Sequence, residues 1–188
     1  MTPDTSHRPA GPARADVARR ADELVRLVPD YPLPGVLFRD ITPLLADADA
    51  FAGVVGTLAA GTTGPVDLVA GMEARGFLLA APVAAALGSG VVPVRKAGKL
   101  PAPTASQSYA LEYGEATIEI HPATVPAGAR VLVVDDVLAT GGTAAATVEL
   151  LRGCGAEVVG LAFLVEIAGL GGRDLLPGLA IDTVLTVD

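Results

Sequence analysis

Short apolar runs of strand length alternate along this chain with segments of helical length, and glycines mark many of the junctions. The runs at 66–70, 91–94, 131–134, 158–165 and 181–187 are built mainly from Val, Leu, Ile and Ala. The segments at 47–60, 77–87 and 144–152 have helical length and composition. A near-continuous apolar run suits a strand covered on both faces, and parallel neighbours need a crossover of a dozen or more residues between them. The alternation therefore predicts an α/β fold: a mostly parallel, twisted sheet flanked by helices.

The remaining segments fit around that frame. Residues 1–15, rich in Pro, Ala, Arg and Asp, read as a disordered leader, with a single domain over 16–188. Val17, Ala21, Leu24 and Val28 make one helical stripe that Pro29 ends. Two prolines and a glycine at 30–35 give a stiff loop into 36–40. Pro82 should bend or shorten the helix at 77–87. Residues 95–108 lack apolar periodicity and read as a long loop, a feature that in a compact domain is more often functional than accidental. Residues 117–120 alternate in period two, as a half-exposed strand does.

Charge and cysteine content exclude some classes of function. A net charge of -8 argues against bulk nucleic-acid binding. The single Cys154 allows no internal disulfide and reads as a small buried apolar residue in a reducing compartment. No apolar run opens the chain, and 77–87 is broken by Pro82 and too short to span a bilayer, which takes about 20 residues. The expectation is a cytoplasmic protein with no membrane or nucleic-acid partner.

Chemistry concentrates at 131–143, VLVVDDVLATGGT. An apolar run enters two adjacent acids, Asp135 and Asp136, and then Ala139-Thr140-Gly141-Gly142-Thr143 leads into a helix. A glycine-rich turn before a helix start offers backbone N–H groups and a dipole to an anion. Carboxylates repel phosphate, so the two acids suit hydroxyls or a cation; a sugar phosphate would satisfy the whole segment. It ends in neither a Walker lysine nor a GxGxxG turn. Arg75 holds the equivalent place one strand–helix unit earlier and can present a fork of donors to an anion; pairing with Glu73 is its plain alternative. Arg95, Lys96 and Lys99 concentrate positive charge in an acidic chain, either as an anion site or as a solvated loop. His7 and His121 have no partners at metal-ligand spacing.

With those residues placed, VLVVDDVLATGGTA resembles the phosphoribosyl-pyrophosphate (PRPP) motif of the type I phosphoribosyltransferases. DYPLPGVLFRDITPLL, EARGFLLAAPVA, VPVRKAGKLP and YALEYG, in that order, resemble the adenine-specific branch of that family. The resemblance implies a type I fold with a flexible lid loop and a small N-terminal hood. It also implies transfer of phosphoribose from PRPP to adenine, giving AMP and pyrophosphate, with Mg²⁺ bound mainly through PRPP and pyrophosphate and with no protein metal ligands. Asp135 and Asp136 would face the ribose hydroxyls, and Ala139 to Thr143 would cradle the 5′-phosphate. Arg75, Arg95 and Lys99 would bind pyrophosphate. Leu37 and Arg39 would read the adenine edge through their main chains, with Phe38 stacked on the base and Ile167 as the opposite wall. Glu112 would handle a proton near the purine, and Tyr113 would belong to the lid. A homodimer is implied as well.

Three departures from the family pattern stand out: the leader before Asp16, the wording APTASQS at 102–108, and an end at Asp188 without the usual aromatic-containing tail. Two other functions stay open at this stage. One is transfer to hypoxanthine or xanthine. The other is a PRPP-sensing regulator, which the acidic charge disfavours.

Overall fold

The computed structural model describes residues 13–110 and 114–188. They fall in two compact units, Met1–Val54 and Val55–Asp188.

The first unit opens with helix α1, Arg14–Leu24, which buries Val17 and Ala21. The expected stripe stops there. Val28 lies in strand β1, Arg26–Val28, which pairs antiparallel with β2, Phe38–Asp40. The i+11 coincidence of Val28 with the helix stripe was thus accidental. Helix α2, Thr42–Ala46, occupies a stretch that the sequence did not mark as helical. Asp40 makes its start: Oδ1 accepts the Thr42 amide at 2.9 Å and the Thr42 hydroxyl at 2.5 Å. Those two bonds, aided by Arg26 at 2.6 Å, hold the Asp40 carboxyl down to about 2. Helix α3, Ala48–Ala60, follows, with Asp47 Oδ1 accepting the Ala50 amide at 2.9 Å.

The second unit is built on a seven-stranded sheet in the order β5-β6-β4-β3-β7-β8-β9. Its strands are β3 (Leu68–Met72), β4 (Gly90–Lys96), β5 (Ala105–Ala110), β6 (Glu115–Ile120), β7 (Arg130–Leu138), β8 (Glu157–Ile167) and β9 (Ile181–Val187). Helix α4, Arg75–Leu87, follows β3, and α5, Gly142–Gly153, follows β7. Pro82 sits inside α4 without ending it. The five strands β4-β3-β7-β8-β9 run parallel, and β6 and β5 extend the β4 edge as an antiparallel pair. The stretch expected as a loop at 95–108 is therefore half strand. Its alternation escapes notice because ASQSYA exposes every second residue and carries little apolar bulk.

Val131 to Val134 are all buried, and the core beneath α5 gathers Met72, Val131, Val133, Leu161, Phe163 and Leu151. Each such side chain contributes on the order of 1.5–3 kcal/mol by burial, so the middle of the sheet is the most strongly held part of this unit. Parallel pairing aligns the carboxyl ends of β3, β4, β7 and β8 along one edge, where ligands of open α/β sheets bind. Among the described residues no helix is long and apolar enough to cross a membrane.

Candidate active site

Strand β7 runs further than its apolar stretch. Asp135 pairs with Phe163, Val137 with Val165 and Leu138 with Glu166, so both acids belong to the strand and not to a turn after it. The long neighbour β8 carries the ladder past the point where the hydrophobic run ends. Successive strand side chains leave a sheet on opposite sides, yet these two carboxylates stay close enough to act on each other. Asp135 lines a recess with Met72, Phe163 and residues 139–143. Asp136, 5% exposed, meets Arg75 on the α4 side, with Nη2 2.8 Å from Oδ2. That contact is one of charge, since Oδ2 has no aligned hydrogen bond. Gly76 lets the start of α4 lie against Asp135: a Cβ there would lie 2.6 Å from Asp135 Oδ1 and 3.0 Å from the Val134 carbonyl. Burial pushes the Asp135 carboxyl well above the ordinary carboxylate range, and the charge of Asp136 adds to it. The Asp136 amide, donating to Asp135 Oδ1 at 2.9 Å, opposes that rise, as does the charge of Arg75.

The turn after β7 is made of backbone. Gly141 has φ +82 and precedes α5, whose start carries no side-chain cap and no acid in its first turn. Its first N–H groups lack intrahelical partners and suit an anion. The turn is backed by Gly172, on the 3-10 turn Gly172–Leu175. A Cβ on Gly141 would strike the Gly172 carbonyl, and one on Gly172 would strike the Ala139 carbonyl and the Leu138 side chain. Arg173 anchors that turn by a two-pronged pair with Glu166, at 2.5 and 2.7 Å.

The expected pyrophosphate residues sit at the ends of β3 and β4. Arg75 is the first residue of α4, and its ion pair is with Asp136, not Glu73. Glu73 takes the others instead. Its Oε2 accepts Arg95 Nε at 3.2 Å and the Lys96 amide at 3.1 Å, and its Oε1 pairs with Lys99 Nζ. The Lys99 ammonium, first among these partners, holds the Glu73 carboxyl below the usual range. Residue order pointed to Glu73 only as a partner for Arg75, not for Arg95 and Lys99. A second acid also went unnoticed: Glu119, 6% exposed, accepts the Lys99 amide at 3.0 Å and the Leu100 amide at 2.8 Å. Its only sequence signal was an acid within an apolar strand of period two.

Glu112 and Tyr113 lie outside the described residues. Just before them, Tyr109 on β5 reaches the phosphate-type turn, with its hydroxyl 2.9 Å from Thr143 Oγ1. In the first unit, Leu37 is exposed, and Phe38 and Arg39 are half-buried in β2. The Phe38 ring meets Tyr31 edge-on, with centroids 5.1 Å apart and planes at 75°. Ile167, half-buried, ends β8 and pairs with Val187.

This combination of a parallel sheet, an acid pair and a glycine turn at its carboxyl edge matches a known class. The model of the phosphoribosyl transferase domain fits residues 45–176. The adenine phosphoribosyltransferase of Parafrankia sp. is 59% identical over 164 residues, 87% of this chain and 89% of that protein. The one from Thermobifida fusca is 55% identical over 173 residues, covering 92% and 98%. Among solved structures, adenine phosphoribosyltransferase from Rhodothermus marinus superposes with a TM-score of 0.88 at 45% identity, over 92% of this chain and 99% of that one. The Saccharomyces cerevisiae enzyme, complexed with an imino-altritol bisphosphate and adenine, gives 0.85 at 36% identity, over 90% and 99%. The chain belongs to the adenine phosphoribosyltransferase family.

Proposed function

We propose that this chain acts in purine salvage, transferring the phosphoribosyl group of PRPP to adenine to give AMP and pyrophosphate. One observation carries the chemistry: at the end of β7 an acid-lined recess adjoins an uncapped, glycine-rich helix start. The choice of adenine is supported by identities of 55–59% to adenine phosphoribosyltransferases over most of the chain.

In this reading the N–H groups of residues 141–143 and the Thr140 and Thr143 hydroxyls hold the 5′-phosphate. Asp135, which lines that recess, accepts hydrogen bonds from the ribose hydroxyls, and Asp136 shares the task while keeping Arg75 in place. Arg75, Arg95 and Lys99 hold the pyrophosphate. As the bond from C1′ to the pyrophosphate oxygen breaks, its electron pair leaves with pyrophosphate, and these cations stabilise the growing negative charge. The adenine N9 lone pair forms the new bond to C1′, and the N9 proton passes to Glu112. Phe38 stacks on the base, the main chains of Leu37 and Arg39 read its edge, and Ile167 forms the facing wall. The segment holding Glu112 and Tyr113 closes to keep water from C1′.

A magnesium ion fits this arrangement as a passenger of the substrate. No group of three or more acid, His or Cys side chains able to hold a metal occurs among the described residues. The diphosphate would supply the ion's main ligands, with Asp135 and Asp136 the nearby acids, as Mg²⁺ prefers. When bound, it adds positive charge to the leaving group. We further assign the chain to the cytoplasm, as a homodimer, on its single cysteine and its family.

The test is AMP formation from PRPP against a panel of purine bases. Turnover with adenine and little with hypoxanthine or xanthine is expected. Turnover of 6-oxopurines without adenine would overturn the base assignment, and PRPP binding without any turnover would point to a regulator.

A further inference from the structure

Between the last residue of β4 and the first of β5 the chain must turn while presenting Lys99. The ladder to β6 reaches the Ala97 amide, which donates to the Thr117 carbonyl at 2.9 Å, and then ends. The next amides have no strand to bond, and backbone N–H groups left without partners are costly. They turn inward onto Glu119. Its Oε1 accepts the Lys99 and Leu100 amides at 3.0 and 2.8 Å, and the Gly98 amide and Thr104 hydroxyl aim at the same carboxylate. Arg95, directly across from Glu119 in the β4–β6 register, ties the other side of the turn, with Nη1 donating to the Lys99 carbonyl at 3.1 Å. The Lys99 side chain meanwhile points to Glu73, not to Glu119. Glu119 therefore grips the main chain of the turn and leaves its ammonium available for exchange.

We propose that Glu119 is a positioning residue for the diphosphate side of the site, shaping the 98–100 turn so that Lys99 is held at the right place to receive pyrophosphate. This rests on the assignment of Lys99 to pyrophosphate. A carboxylate suits the task because one group accepts several converging N–H donors, here from a side chain only 6% exposed. Glutamine keeps an oxygen at the same place; alanine keeps none.

The experiment measures magnesium pyrophosphate binding by calorimetry in the full chain, for Glu119→Ala, Glu119→Gln, Lys99→Ala and the double variant Glu119→Ala/Lys99→Ala. Lys99→Ala should weaken binding about tenfold, and Glu119→Ala nearly as much. Glu119→Gln should stay within about threefold of the wild type, and the double variant should be no worse than Lys99→Ala. Amide exchange should accelerate at Lys99 and Leu100 in Glu119→Ala while β7 stays protected. Additive losses in the double variant, or wild-type binding in Glu119→Ala beside a tenfold loss in Lys99→Ala, would overturn the proposal and spare the Lys99 assignment. Unchanged binding in Lys99→Ala would overturn both. If Glu119→Ala does not fold, Glu119→Met, of similar size and without an acceptor, takes its place in the same comparison.

Discussion

The two ends of the candidate site are made differently. At the β7 end, the anion cradle consists of backbone amides, glycines and a helix start that no side chain caps. At the β4 end, the cations rest against Glu73, with Glu119 bracing the turn behind them. One end is a backbone template whose amides need give up no side-chain partner to take an anion. At the other the cations are paired with an internal acid, so an anion binding there would have to compete with Glu73 for them. The first should set position and the second should set exchange and release.

The largest effect should come from the template. Asp135→Asn with Asp136→Asn is expected to cost roughly 10²–10³-fold in kcat/KM for PRPP, with the fold retained by circular dichroism; near-normal rates would remove the ribose role. The single variants should separate, because Asp136 pairs with Arg75 while Asp135 lines the recess beside residues 139–143. Asp135→Asn keeps the oxygen that accepts the Asp136 amide and removes a carboxyl whose ionisation burial opposes. Its melting temperature should rise by about 2–4 °C at neutral pH. The sign follows from the raised carboxyl. Below the ordinary carboxylate range both folded and unfolded chains hold the proton and Asp135 costs nothing. As pH rises from there through the raised folded value, the unfolded chain gives up its proton first, and stability is lost. Melting curves against pH should show that loss in the wild type and not in Asp135→Asn.

Next in size is Gly172→Ala, which forces a methyl group toward the Ala139 carbonyl and the Leu138 side chain. A destabilisation of about 1–3 kcal/mol is expected by analogy with overpacked cores, together with weaker binding of ribose 5-phosphate. Pyrophosphate binding should stay unchanged, and a loss there would break the division into two ends. Smaller and opposite in sign is Glu73→Gln. Removing the resident anion should tighten pyrophosphate binding about fivefold, or about 1 kcal/mol, and slow its release in stopped-flow traces. Weakened binding would recast Glu73 as a support and not a competitor. The smallest effect is Tyr109→Phe, which deletes the hydroxyl contact with Thr143. A loss of about 0.5 kcal/mol in stability or PRPP affinity is expected, the low end for one hydrogen bond.

Much of the template was readable from residue order, because its chemistry is local: Asp135, Asp136 and residues 139–143 are neighbours in the chain. The core strands were readable for the same reason, as continuous apolar runs. What stayed hidden depends on pairing. Nothing before Val137 says that β7 continues through two acids; only the length of β8 beside it does. The strand at Ala105–Ala110 is legible only once β6 lies against it. Glu73 and Glu119 are far in sequence from the groups they hold: the Glu119 bond to the Leu100 amide spans 19 residues and the Glu73 pair with Lys99 spans 26. Asp40 organises α2 across two residues, but that helix is too short for periodicity to show.

The placement of β7 has a consequence for how this protein comes apart. It lies inside the sheet, with β3 on one side and β8 on the other, while β5 forms an outer edge. Backbone amides in a central strand open last, and those in edge elements open first. Hydrogen exchange should therefore rank the ladder amides of Val131 to Val134 among the slowest in this sheet and those of the β5–β6 ribbon among the fastest. The acid pair Asp135–Asp136 sits on a strand inside this sheet, so a chain losing its structure step by step would give up the β5–β6 ribbon well before that strand.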